Sequence, residues 1–186
     1  RKHTTGVQNT VIGSGAMKDT DADADTLGSN NNVFIGYNAA GGTWVSGTSH
    51  SNVGIGSSCM GSAPFAEAAA NVAVGHQTLE DLSTGETNVA IGYYSLQQAD
   101  GGESANVAIG YHAMSQSNND GADNNVAIGY EACKNTTAAG NVGIGYHALN
   151  ANTTGVDNVC IGNYAGRLLA AGSGDPSEVP QQNVAI

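Results

Sequence analysis

Positive charge is scarce in this chain: 5 Lys and Arg stand against 16 Asp and Glu, a formal net charge of -11 over 186 residues. No Lys or Arg falls between Lys18 and Lys134. So few cations cannot neutralise a run of phosphates, which excludes nucleic acid as an expected partner. An anionic membrane surface repels such a chain. Apolar runs of about 18 residues or more are also missing, so no insertion into a bilayer is expected. Cysteine is limited to Cys59, Cys133 and Cys160, with no C-x-x-C spacing. That removes a disulfide framework and a zinc ribbon, and leaves three small buried hydrophobes. Phe and Trp are rare, at 2 and 1 residues. Catalytic signatures are missing too: no elbow-flanked Ser with His and Asp, no phosphate loop and no convergent carboxylate pair. The chain reads as a non-enzyme.

What is abundant is glycine, with 27 residues, and it is not randomly placed. The segments Asn32-Val33-Phe34-Ile35-Gly36, Asn71-Val72-Ala73-Val74-Gly75 and Asn88-Val89-Ala90-Ile91-Gly92 share one pattern, repeated from Asn52, Asn106, Asn125, Asn141 and Asn158. A variant starts at Asn9 and a last copy at Asn183. The steps between these Asn residues are 23, 20, 19, 17, 18, 19, 16, 17 and 25. Nine residues from each Asn stay in register, and all length variation falls after them. A constant unit with loops of variable length is the signature of a stacked repeat. The fold class is therefore all-β: a parallel β-solenoid of about ten coils, forming one repeat domain over 1–186.

With the Asn as position zero, position one is Val in nine copies and Thr10 in the first, and position three is Ile in nine and Val74 in the other. These β-branched residues alternate with position two and suit a short strand. The expectation is that Val107, Ile109, Val126 and Ile128 stack inside the coil, with the Leu or Met of position eight as partner. Position two, never polar, is then left on the opposite side. Ala90, Ala108, Ala127 and Ala185 are expected to face another chain or a second packed layer. Position four is Gly in every copy that reaches it, which implies a left-handed turn or an approach too close for a Cβ. Position five carries Tyr37, Tyr93, Tyr111, Tyr130 and Tyr146, which coils in register stack about 4.8 Å apart. The Asn of position zero suits a hydrogen-bonded ladder along the stack.

The unit N-V-A-I-G-Y-x-A-L resembles the head repeats of YadA-like trimeric autotransporter adhesins and the related repeats of bacteriophage tail fibres. The resemblance spans Thr5 to Ile186 and implies a left-handed β-roll, usually trimeric, outside the cell. The repeats here run longer, with Tyr after the Gly and uneven loops. The expected function is a structural building block of an extracellular fibre or filament, assembling through stacked coils and strand addition. The expected partner is the chain itself, as a homotrimer or a head-to-tail filament. The other reading is an adhesin head or phage receptor-binding fibre that grips surface glycans. Both chain ends fall inside a repeat, so Asn183, Val184, Ala185 and Ile186 are expected to pair with a neighbouring subunit or with further chain.

Four candidate sites remain. Asp19, Asp21, Asp23 and Asp25 alternate in the first long loop as hard-oxygen ligands suited to Ca²⁺, but the EF-hand positions for Gly and Glu hold Ala24 and Asn30, and a plain solvated acidic loop explains them better. Otherwise no cofactor is expected. His112, Glu131 and His147 share position six on successive coils, a possible metal edge whose two His are separated by two strand spacings. Asn135-Thr136-Thr137 and Asn152-Thr153-Thr154 are N-glycosylation sequons, one coil apart.

Overall fold

The computed structural model describes residues 6–18, 29–44, 48–62, 66–118 and 121–167, and the backbone of Val184–Ala185. Ten strands follow in chain order: β1 (Thr10–Ile12), β2 (Val33–Ile35), β3 (Val53–Ile55), β4 (Val72–Val74), β5 (Val89–Ile91), β6 (Val107–Ile109), β7 (Val126–Ile128), β8 (Val142–Ile144), β9 (Val159–Ile161) and β10 (Val184–Ala185). They form one parallel sheet in the order β1 to β10. Equivalent residues pair coil to coil, as Val107 with Val126 and Ile109 with Ile128. This is a β-solenoid. Its coil count is approximate, since five of the nine connections between strands pass through residues outside the described set.

Three features of the repeat force the chain to turn back on itself. The Gly of position four adopts φ between 132° and 142°. A Cβ there would also collide with the carbonyl oxygen of the next coil's Gly, as Gly110 would with Gly129. Positions six and eight then both take left-handed conformations, as in His112 (φ 52) and Met114 (φ 51). This double reversal bends the chain sharply between positions six and eight. Non-Gly residues rarely occupy that region, and here inter-coil hydrogen bonds hold them there. His112 N–H donates back to Tyr93 and Met114 N–H donates forward to Ala132. The residue before each Asn is left-handed as well, for example Ala105 (φ 58), whose N–H donates to Glu86.

The expected inside and outside are reversed. From β2 to β9 position two is fully buried: Phe34, Ala73, Ala90, Ala108, Ala127 and Cys160 belong to the core, with Val11 of the first coil partly buried against it. Val107, Ile109, Val126 and Ile128 are only half-buried, on the outer side of the sheet. Ala90, Ala108 and Ala127 therefore pack against their own coils and are not an assembly surface. The cause is room. The coil is so tightly turned that positions two and eight share its interior and complement one another in size, beside small buried residues of position seven such as Ala39, Cys59, Ala113 and Ala132.

The pairs show this complementarity. Gly54 lies in the coil with Met60, Ala73 with Leu79, Ala90 with Leu96, Ala108 with Met114 and Gly143 with Leu149, the large residue of each pair fully buried. In two coils a larger residue at position two meets a smaller one at position eight: Phe34 pairs with Ala40 and Cys160 with Gly166. Phe34 also needs Gly54 on the next coil, where a Cβ would come within 2.8 Å of its ring. Trp44 closes this larger layer edge-on, with centroids 6.1 Å apart, and its indole N–H donates to Ala40.

A buried Asn ladder runs beside the core. Each Asn of position zero donates its N–H to Oδ1 of the preceding one, unbroken from Asn9 to Asn158 at 2.8–3.1 Å. Most of the side-chain nitrogens reach a loop carbonyl, as Asn52 Nδ2 to Ala68 and Asn71 Nδ2 to Gly85, whereas Asn125 Nδ2 is buried without a partner among the described residues. A position that must accept along the stack and donate across it suits a carboxamide; a carboxylate or hydroxyl is less able to do both.

Candidate functional site

Turning the Val and Ile residues outward gives the solenoid an uncharged face. Positions one and three supply it from Thr10 to Ile161, without one Asp, Glu, Lys or Arg. Ile55, Ile91 and Ile161 each leave 39% of their surface in water. Along the corner of this face, one residue beyond each Gly, stands the position-five column. His76, Tyr93, Tyr111, Tyr130 and Tyr146 stack without interruption, with centroids 4.9–5.5 Å apart. The three Tyr–Tyr steps are within 16° of parallel. The ladder expected from the repeat is present, and its rungs cover one another's ring faces. What remains exposed is edge and hydroxyl.

A second column at position six flanks it. Tyr94 and His112 lie 4.9 Å apart, and His147 stacks on Tyr164 at 5.3 Å. Between the two histidines sits Glu131, 3.4 Å from His147 Nδ1 and 3.2 Å from Lys134 Nζ. Desolvation, then Lys134, lowers the His112 pKa, while Glu131 opposes both. A hydrogen bond to Tyr93 raises the Tyr94 hydroxyl pKa, with desolvation adding to it. The histidine edge is thus a stacked column carrying an ion pair, and no group of three or more potential metal ligands occurs among the described residues.

The other candidate residues fall as follows. Asp19, Asp21, Asp23 and Asp25 lie outside the described residues. So do Asn183 and Ile186. Val184 and Ala185 pair in parallel with Val159 and Cys160 of the same chain. Asn135 is half-buried, its Nδ2 donating to Asn150 at 3.2 Å. Asn152 is corrected as a glycan acceptor. It is fully buried, with Nδ2 donating to Gly155 at 2.7 Å and Oδ1 accepting from the Gly155 N–H at 2.8 Å. Its nitrogen is enclosed by its own turn, leaving no room for a sugar in this fold.

Comparison with protein-family models, with curated proteins and with solved structures gave no match to this chain. No helix among the described residues is long and apolar enough to cross a membrane. The outer face and its aromatic corner are what this surface offers to other molecules.

Proposed function

We propose that this chain is a structural building block of an extracellular fibre, whose copies associate side by side through the Val and Ile face of the solenoid. The observation that carries the reading is that face: continuous along the sheet, apolar, half-exposed and uncharged in a chain of net charge -11. Covering the remaining 39% of one isoleucine contributes about 0.6–1.2 kcal/mol. Ile55, Ile91 and Ile161 with Ile12, 58% exposed, together offer about 3–5 kcal/mol, with the less exposed rungs and the valines adding more, against an association cost of ~4–15 kcal/mol. A few coils do not suffice; a long stack does.

A second copy is the occupant that fits. Its columns repeat at the same strand spacing of about 4.8 Å, so rungs interdigitate along the whole contact. Elsewhere like charges keep copies apart. Strand addition at the open edge of a stacked sheet lengthens a rod. The extracellular setting rests on the resemblance to surface-fibre repeats.

Sedimentation and electron microscopy of the unmodified chain are expected to show oligomers or filaments. Replacing Ile109 and Ile128 together by Glu should give monomers with the β-sheet circular dichroism intact. A stable unmodified monomer at tens of micromolar, or a double variant that assembles as well as the parent, contradicts the proposal.

A further inference from the structure

The aromatic column has one rung out of series. Tyr37 occupies position five of its coil, but the same position holds Ser14 on the coil before and Ser57 on the coil after. None of the ring contacts that order Tyr93 to Tyr146 reaches Tyr37, and it is 60% exposed against 42–45% for those four. The missing rung on the Ser14 side leaves an open depression of about 560 Å³, lined by Gly13, Ser14, Gly15, Ala16, Lys18, Tyr37 and Asn38. Gly15, where a Cβ would collide with the Asn38 carboxamide oxygen, keeps its floor low.

We infer that this depression is a binding site for one pyranose ring of a glycan, seated where the absent rung would stack. A sugar ring presents one C–H face and a rim of hydroxyls. The face suits the uncovered Tyr37 ring, as an aromatic neighbour does elsewhere in the column. The rim suits the polar wall of Ser14 hydroxyl, Asn38 carboxamide and glycine backbone. A fully aromatic ligand would leave that wall unpaired. Tyr93, Tyr111 and Tyr130 cannot serve in the same way, because each ring face already carries a neighbour. The site goes beyond the assembly reading and does not depend on it, since Tyr37 stands at the corner and not among the Val and Ile columns.

The test is titration of the full chain with maltotriose, cellotriose and triacetylchitotriose, followed by saturation-transfer and amide-shift NMR. A single seated ring of about 12 heavy atoms corresponds to binding in the low millimolar range. At least one trisaccharide should shift the amides of Ser14, Gly15 and Asn38. Tyr37→Ala should weaken it tenfold or more, whereas Tyr37→Phe should retain it. Ser14→Tyr supplies the missing rung in a position where other coils accept Tyr, so it should block binding with the fold intact. Tyr130→Ala should bind as the parent does. No shift with any of the three sugars, or equal binding by the parent, Tyr37→Ala and Ser14→Tyr, overturns the assignment.

Discussion

Replacing Asn71 by Ala tests whether the buried ladder holds the stack together. In the parent, Asn71 Oδ1 accepts from Asn88 N–H at 2.9 Å and from Asn88 Nδ2 at 3.1 Å, while Asn71 Nδ2 donates to Gly85 at 2.7 Å. Truncation leaves Asn88 Nδ2 its bond to Glu103 and leaves Asn52 Oδ1 its bond from the Asn71 backbone. Two buried groups lose their partners: Asn88 N–H and the Gly85 carbonyl. At about 1–3 kcal/mol each, the cost is about 2–6 kcal/mol. The loss is local, because stacked repeats unfold as coupled neighbours, so hydrogen exchange is the assay. Exchange at Asn88 should accelerate by more than tenfold while the amide of Val142, four coils away, keeps its rate. Asn71→Asp adds a check of sign. The carboxylate still accepts from Asn88 but turns a second acceptor toward Gly85, and burial raises its pKa above the ~3.9 of an exposed Asp. Its penalty should be full at neutral pH and partly relieved as pH falls through the raised value, when a proton restores a donor. If Asn71→Ala costs under about 1 kcal/mol and Asn88 stays protected, the ladder is incidental.

Gly110→Ala combines a left-handed φ of 136° with a Cβ driven into Gly129, and should cost more than about 3 kcal/mol or prevent folding, read by urea denaturation. Truncating the outward Ile128 to Ala should cost the isolated solenoid under about 1.5 kcal/mol, whereas Leu96→Ala, from a fully buried side chain, should cost about 2–5 kcal/mol. Burial pushes the thiols of Cys59 and Cys133 up to about 12, so both should resist a thiol reagent at pH 8 and react once the chain is unfolded. Because their folded pKa values are raised, their contribution is complete below about pH 8.5 and should fade as pH climbs toward 12.

The repeat itself determined much of this molecule. An Asn followed by β-branched residues, an obligatory Gly and elastic loops dictates strands that pair in parallel with their own copies. The Asn and Tyr ladders follow directly, because any fixed position in a stacked repeat becomes a column. The loop to Asn152 was misread, since a sequon does not reveal that its carboxamide closes on Gly155. The largest reversal concerned which side of the strand is the inside. Alternation separates Val107 and Ile109 from Ala108 but does not say which set is buried, and size favoured the wrong one. A cue existed in the size exchange between positions two and eight, as in Phe34 with Ala40 and Cys160 with Gly166. Residues that trade volume share a space. Only the tertiary structure fixed the matter, because the left-handed residues at positions six and eight close the coil too tightly for two columns of Val and Ile. They are thus displaced to the outer face, where the structure leaves them half in water.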